Sequence, residues 1–271
     1  AAWRRHAPYE FTPELRGHLE ALLDPLASPA GIEVLGEHGE PWEPGDTAWW
    51  WLLDPPDPWY AASDQTEMVA LTLLRQAAFP DLDQLAWATT LRLPLEMAPD
   101  RPWLAAVAAS YTDAGAGLRL RPEDEPDRRR AELAELAHLL LAQGQAMGFE
   151  AAHWAEAEHW VVEWQRQGQR RASFTLAAVT ALTPRVWRSR ALIPGHSRFL
   201  VLPGSRASLL QWRFDHHPLW ASAAASGGWT FVKFRHLREM LADRDTDPDI
   251  WLAHLGLDAV TTAHGEQMRL F

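Results

Sequence analysis

The segment HWVVEWQRQGQRRASFTLAAVTAL, residues 159–182, decides how the whole chain is read. Its opening residues alternate Trp160, Val162 and Trp164 against Val161, Glu163 and Gln165. Successive side chains of a strand point to opposite faces, so this alternation predicts a half-buried strand over 159–166. Gln167-Gly168-Gln169 supplies the glycine that a tight hairpin tip needs, and 172–182 is apolar enough to be the returning strand.

Working outward toward the C-terminus, the run over 198–202 predicts a third strand, and Leu202-Pro203-Gly204-Ser205-Arg206 reads as a strand-to-helix turn. Ser205 is placed to cap a helix over 206–214. Residues 229–234 predict a fourth strand, 236–242 the start of another helix, and 249–255 a last helical segment. On the N-terminal side, 149–154 is short and extended. Before it, Asp127 caps a long helix over 128–147 whose Leu133, Leu136, Leu140 and Leu141 form an apolar stripe and which Gly148 stops.

The first part of the chain is a mixed α+β region, 1–120. Thr12-Pro13 and the leucines at 15, 19, 22, 23 and 26 predict a helix over 12–26, and 31–35 a strand. A second strand over 47–53 contains Trp49, Trp50 and Trp51, which cannot all enter one core because neighbours on a strand face opposite ways. Helices follow over 64–78, capped by Ser63 or Asp64, and over 83–93 and 102–111. Gly115, Gly117, Pro122, Pro126 and a dense acidic cluster mark 111–127 as a linker to the second unit, 127–271.

The order helix, strand, strand, strand, helix, strand across 128–234 resembles the αβββαβ core of the PD-(D/E)XK, or restriction-endonuclease-like, nucleases. The resemblance rests on the long helix ending at Gly148, the hairpin HWVVEWQRQ with ASFTLAAVTAL, the step FLVLPGSRASLL and the strand WTFVKF. It implies an α/β scaffold that lies against nucleic acid. Members of that family carry an acidic residue on the first or second strand and a (D/E)-X-K triplet on the next. Here the returning strand Ala172-Ser173-Phe174-Thr175-Leu176-Ala177-Ala178-Val179 holds neither carboxylate nor lysine. The resemblance therefore implies a scaffold without the usual magnesium site. A displaced site would have to use Glu163 with Lys233, the only lysine, and an ordinary salt bridge is the preferred reading of such a pair, because one carboxylate and one lysine do not make a metal site.

Composition narrows the chemistry further. The 271 residues contain no cysteine, which excludes disulfides, thiolate zinc sites, iron–sulfur clusters and cysteine nucleophiles. Neither an apolar run of about 18 residues nor a cationic segment leading into an apolar one occurs. The expectation is a cytoplasmic protein with no membrane span. The formal charge is −11, yet the interval between Glu163 and Asp215 holds no acidic residue and nine arginines, leaving −20 on the remainder. Such segregation predicts one positive face suited to phosphates on a body that repels them. Pairing of the same arginines with distant carboxylates, or with an acidic protein partner in a hetero-complex, is the competing reading.

The candidate binding residues are Arg166, Arg170, Arg171, Arg185, Arg188, Arg190 and Arg206. Ser205 joins them as part of an anion-binding turn, and Trp187 and Trp212 as aromatic faces on which bases could stack. No cofactor and no metal is expected. The alternating Asp243, Asp245, Asp247 and Asp249 lack the glycine and glutamate of a calcium loop, having Pro248 and His254 at those places. The histidines form no zinc signature, and neither a phosphate-binding GxxxxGK[ST] loop nor a GxSxG elbow is present. The expected role is a non-catalytic nucleic-acid-binding accessory subunit of prokaryotic nucleic-acid processing or defence. A protein-interaction subunit, or a metal-dependent nuclease with a rearranged site, stand as alternatives.

Overall fold

The computed structural model describes residues 32–35, 49–52, 61–93, 98–113, 117–156, 159–242 and 247–256, and places the predicted hairpin in the middle of a five-stranded sheet. In chain order the elements are β1 (Ile32–Leu35), β2 (Trp49–Leu52), α1 (Ala62–Gln76), α2 (Leu82–Arg92), α3 (Arg101–Tyr111) and a 3-10 turn, Pro122–Asp124. Then come α4 (Pro126–Ala146), β3 (Glu150–Glu156), β4 (His159–Arg166), β5 (Gln169–Ala177), α5 (Thr183–Arg188) and β6 (Ser197–Leu202). A second 3-10 turn, Gly204–Arg206, leads into α6 (Ala207–His216), α7 (Pro218–Ser226), β7 (Trp229–Lys233), α8 (Phe234–Ala242) and α9 (Pro248–Leu255). The chain is thus mixed α/β. The predicted helix over 12–26 and the side chains of Trp49, Trp50 and Trp51 lie outside the described residues.

β1 and β2 form a separate antiparallel pair, with Ile32 opposite Leu52. The large sheet runs in chain order, β3-β4-β5-β6-β7. Its first three strands are antiparallel, and β5–β6 and β6–β7 are parallel. Parallel neighbours need a crossover, and α5 with its following loop supplies the first, α6 with α7 the second.

Helices cover both faces. On one, Leu133, Leu136 and Leu140 of α4, Leu237 of α8 and Trp251 and Leu255 of α9 pack against Val162, Trp164, Phe174 and Val201. On the other, Val186, Leu210 and Trp220 meet Ala177, Leu200, Leu202 and Trp229. Each large apolar side chain sequestered this way is worth roughly 1.5–3 kcal/mol. Trp164 is wholly buried, and its indole N–H donates to the carbonyl of Leu140 at 3.1 Å. That approach depends on Gly144: a Cβ there would sit 2.7 Å from Trp164 Cδ1. A third cluster joins Leu71, Leu74, Trp103, Leu104 and Val107 of the N-terminal helices to Val179, Ala181 and Leu209. The two units read from sequence therefore share a core.

Several expectations are corrected. The linker read over 111–127 is, in its described part, packed structure: Leu118 and Phe79 exchange backbone hydrogen bonds, and Asp124 is buried. Gly117 adopts φ +90, and a Cβ there would lie 2.9 Å from the Phe79 carbonyl oxygen, so the glycine serves close packing instead of slack. α1 begins at Ala62, so Ser63 and Asp64 lie inside it and cap nothing of their own. β5 ends at Ala177, because the backbone N–H of Thr180 donates to Glu67 Oε1 at 2.7 Å and leaves the ladder. Ser205 does not cap α6, since no side-chain cap bond is made there. α5 and α7 have no counterpart in the sequence reading.

Candidate nucleic-acid interface

The nine arginines of the acid-free interval separate into three populations. Arg198, Arg206 and Arg213 are buried. Arg170, Arg171 and Arg185 are at least partly exposed and paired with carboxylates. Arg166, Arg188 and Arg190 are exposed and make no ion pair among the described residues.

The buried group corrects the expected site. Arg206 has no exposed side-chain surface. Its Nη2 contacts Asp124 Oδ1 at 2.6 Å, its Nε donates to the Ala178 carbonyl at 3.0 Å, and its Nη1 donates to the Ser110 carbonyl at 2.6 Å. It also lies 3.4 Å from the Tyr111 ring centre. A guanidinium so enclosed cannot reach a phosphate, and it fixes α3 to the turn after β6. Ser205 shares this role, its carbonyl accepting from Ser110 Oγ at 2.8 Å. Arg213 is likewise closed, 2.7 Å from Asp64 and 3.0 Å from Glu67.

Asp64 and Glu67 lie one helical turn apart on α1, and both are fully buried. Asp64 accepts from the backbone N–H and the hydroxyl of Thr183, both at 2.8 Å, and so caps α5 from another element. Burial pushes its carboxyl above the usual range, against the opposing pull of Arg213 and the Thr183 bonds. Tyr111 Oη donates to Glu67 at 2.7 Å, and its ionisation is pushed well up, mainly by burial. This satisfied network binds the N-terminal helices to the carboxyl ends of β5 and β6, which leaves it structural.

Trp212 also belongs to the packing. Its ring stacks on His216 with centres 4.1 Å apart and leans on Trp103 at 4.8 Å, so the face proposed for base stacking is occupied. Trp187 is half-buried against the α5–α7 side, with Arg190 over its ring at 4.6 Å.

What does converge lies at the opposite, amino-terminal ends of β5 and β6. Ala172 pairs with Ser197 and Ser173 with Arg198, so the hairpin tip and the loop 189–196 meet at one end of the sheet. The β4–β5 register shifts after Trp164, Trp164 facing Ala172 and Gln165 facing Arg170, which leaves Arg171 as the bulge residue. Alternation breaks there, and the two arginines go to different carboxylates. Arg170 Nε lies 3.3 Å from Glu163 Oε2, and Arg171 Nη2 lies 3.1 Å from Asp249 Oδ1. Arg166 closes the tip from the α4 side, over the Phe149 ring at 4.4 Å. Arg188 and Arg190 enter from the end of α5.

Arg198 holds the loop in place. Its Nη1 donates to the carbonyls of Ser189, Ala191 and Gly227 at 2.6, 2.8 and 2.7 Å. Beside it His196 Nε2 is 3.1 Å from Ser173 Oγ. Burial first, then the charges of Arg198 and Arg170, lower the His196 imidazole to about 4, so it is neutral near pH 7. The loop between these anchors exposes Leu192 and Ile193, 64% and 44% accessible. Neither residue nor the organising role of Arg198 was read from the sequence. The available signal was an aliphatic pair outside any periodic element, directly before the turn Pro194-Gly195.

Arg185 stands apart from this end, donating through Nε to Thr175 Oγ1 at 2.7 Å and lying 3.4 Å from Glu156. Glu163 and Lys233 are not brought together. Glu163 lies in the row Glu163–Ser173–Arg198–Trp229, and Lys233 is at the far end of β7, about 20 Å away by strand spacing and rise. Among the described residues no group of three or more His, Asp or Glu is placed to hold a metal ion. No helix among them is long and apolar enough to cross a membrane. No protein-family model matches the chain, and no curated protein or solved structure is detectably similar to it.

Proposed function

We propose that this chain binds the phosphate backbone of nucleic acid without cleaving it, as an accessory subunit of prokaryotic nucleic-acid processing or defence. The observation that carries the reading is the crowding of Arg166, Arg170, Arg171, Arg188 and Arg190 around the amino-terminal ends of β5 and β6, on a body that is otherwise strongly acidic. A positive end on a negative body concentrates attraction at one place and suppresses contact elsewhere. The restriction-endonuclease-like arrangement proposed for the sheet fits the same use, with α4, β4, β5, β6, α6 and β7 as its αβββαβ core and β3 as an added edge. Loss of the Glu163–Lys233 pairing supports binding over cleavage.

Fluorescence anisotropy of labelled DNA and RNA oligonucleotides tests the reading. Affinity should fall steeply between about 50 and 200 mM salt, and replacing Arg170, Arg188 and Arg190 together by alanine should cut the logarithmic salt slope by about 2 to 3 on duplex DNA. No binding at low salt, or binding indifferent to salt, overturns it.

A second reading, an acidic protein partner in a hetero-complex, is favoured by Leu192 and Ile193. Two exposed aliphatic side chains between arginines match the apolar centre and charged rim of a protein interface. Replacing both by serine leaves oligonucleotide affinity unchanged on the first reading. On the second it abolishes co-purification of the partner, in a complex whose absorbance ratio shows no nucleic acid.

A further inference from the structure

We infer that Glu163 and Asp249 are built-in competitors for the phosphate sites of Arg170 and Arg171, so that nucleic acid binds by displacing the chain's own carboxylates. The inference rests on the nucleic-acid reading above and deepens it. Both arginines of the bulged strand β5 are covered, and by different elements: Glu163 reaches Arg170 from the neighbouring strand, and Asp249 reaches Arg171 from the first turn of α9. A carboxylate and a phosphodiester offer a guanidinium the same pair of anionic oxygens, so each pair occupies the geometry a phosphate would need.

The exchange is inexpensive. Arg170 is 56% exposed against 12% for Glu163, and Asp249 is 70% exposed against 36% for Arg171, so in each pair one partner faces water and the attraction is partly screened. Neither carboxylate is stranded when its arginine turns to a phosphate. Asp249 faces water, and Glu163 keeps the charge of Arg185, whose ionisation it already supports. α9 itself stays docked, because Trp251, Leu252 and Leu255 are buried in the sheet's core. What moves is two side chains at the rim.

The test compares full-length wild type with Glu163→Gln, Asp249→Asn, and Glu135→Gln of the exposed face of α4 as a charge-matched control. The probe is a labelled 20-mer duplex DNA at low salt, read by anisotropy. Each of the first two substitutions should tighten binding about three- to five-fold, and the double variant by the product, while the control changes it less than two-fold. If wild type binds and the two variants match it, or if the control tightens binding as much, the competitor role is overturned and the nucleic-acid reading stands. If neither wild type nor any variant binds, the nucleic-acid reading falls and takes the competitor role with it. Circular dichroism confirms that each isosteric variant is folded.

Discussion

Arg206 is the residue at which local sequence and folded structure diverge most. Its window has no acidic residue, yet its counter-charge, Asp124, comes from 82 positions away, as those of Arg213 come from α1. A stretch empty of acids says where charges lie along the chain and nothing about what folds against them. Arg188 and Arg190, by contrast, remain at the surface as read. Asp124 also accepts from Arg129 Nε at 2.8 Å, so Arg206→Ala leaves the carboxylate paired whereas Asp124→Ala strands the buried Arg206. Asp124→Ala should lower stability by about 3–5 kcal/mol in urea unfolding and Arg206→Ala by less, with oligonucleotide affinity of the folded fraction unchanged. The half-buried histidine His217 gives the residue-scale pH dependence. Burial, and then the charges of Arg213 and His216, lower its imidazole to about 3, whereas the unfolded chain takes up that proton near the ordinary 6.5. Its neutral form thus favours the fold fully above about pH 6.5. As pH falls from there toward 3 the unfolded state binds the extra proton and stability drops, with no further loss below. Urea midpoints measured from pH 7.5 to 5 should fall in wild type, and His217→Phe should flatten the slope by at most about 1.4 kcal/mol per pH unit.

Elements with a strong period were legible and those set by long-range contacts were not. The alternation of Trp160, Val162 and Trp164 located β4, though Val161 on its other face is buried as well because helices cover both sides of the sheet, and the leucine stripe located α4. The end of β5 could not be read, since its apolar run continues past Ala177 and only Glu67, on a distant helix, draws Thr180 out of the ladder. α5 has six residues and is capped by Asp64 from another helix, so its start signal lies in a different part of the chain. The same contrast decides what Gly144 does. Helix propensity alone says that Gly144→Ala in the last turn of α4 should stabilise by up to about 1 kcal/mol. The added methyl would collide with the Trp164 indole, which is locked by its bond to Leu140 and by rings on both sides. Overpacking costs about 1–3 kcal/mol, and here the neighbour has nowhere to go, so the net effect should be destabilising. A calorimetric midpoint below wild type checks this, and near-ultraviolet dichroism should report the disturbed tryptophan.

At the scale of the whole molecule, the sequence suggested two units, and the structure stitches them with one apolar cluster and one ionic network. Val179, Ala181 and Leu209 have their apolar neighbours on α1 and α3, and Arg213 has both its carboxylates on α1. This coupling explains how the segregated charge is tolerated: Arg213 is neutralised by Asp64 and Glu67 of the N-terminal region and Arg206 by Asp124 of the segment between the units, while Arg166, Arg188 and Arg190 are left at the far end of the sheet with no ion pair among the described residues. It also sets an expectation for dissection. A fragment beginning at Pro126 would lose Asp64, Glu67 and Asp124 together, leaving Arg206 and Arg213 without counter-charges and Val179, Ala181 and Leu209, past the ends of β5 and β6, without their apolar cover. Each stranded guanidinium costs about 3–5 kcal/mol, and the whole stability of a domain is only about 5–15 kcal/mol. The fragment 126–271 should therefore lack a cooperative thermal transition, whereas the full chain should show coincident far- and near-ultraviolet transitions. A fragment that melts sharply at the full-length midpoint would mean that the ionic network is ornament to a self-sufficient sheet domain. Independent melting of two parts in the full chain would mean that the shared core does not couple them.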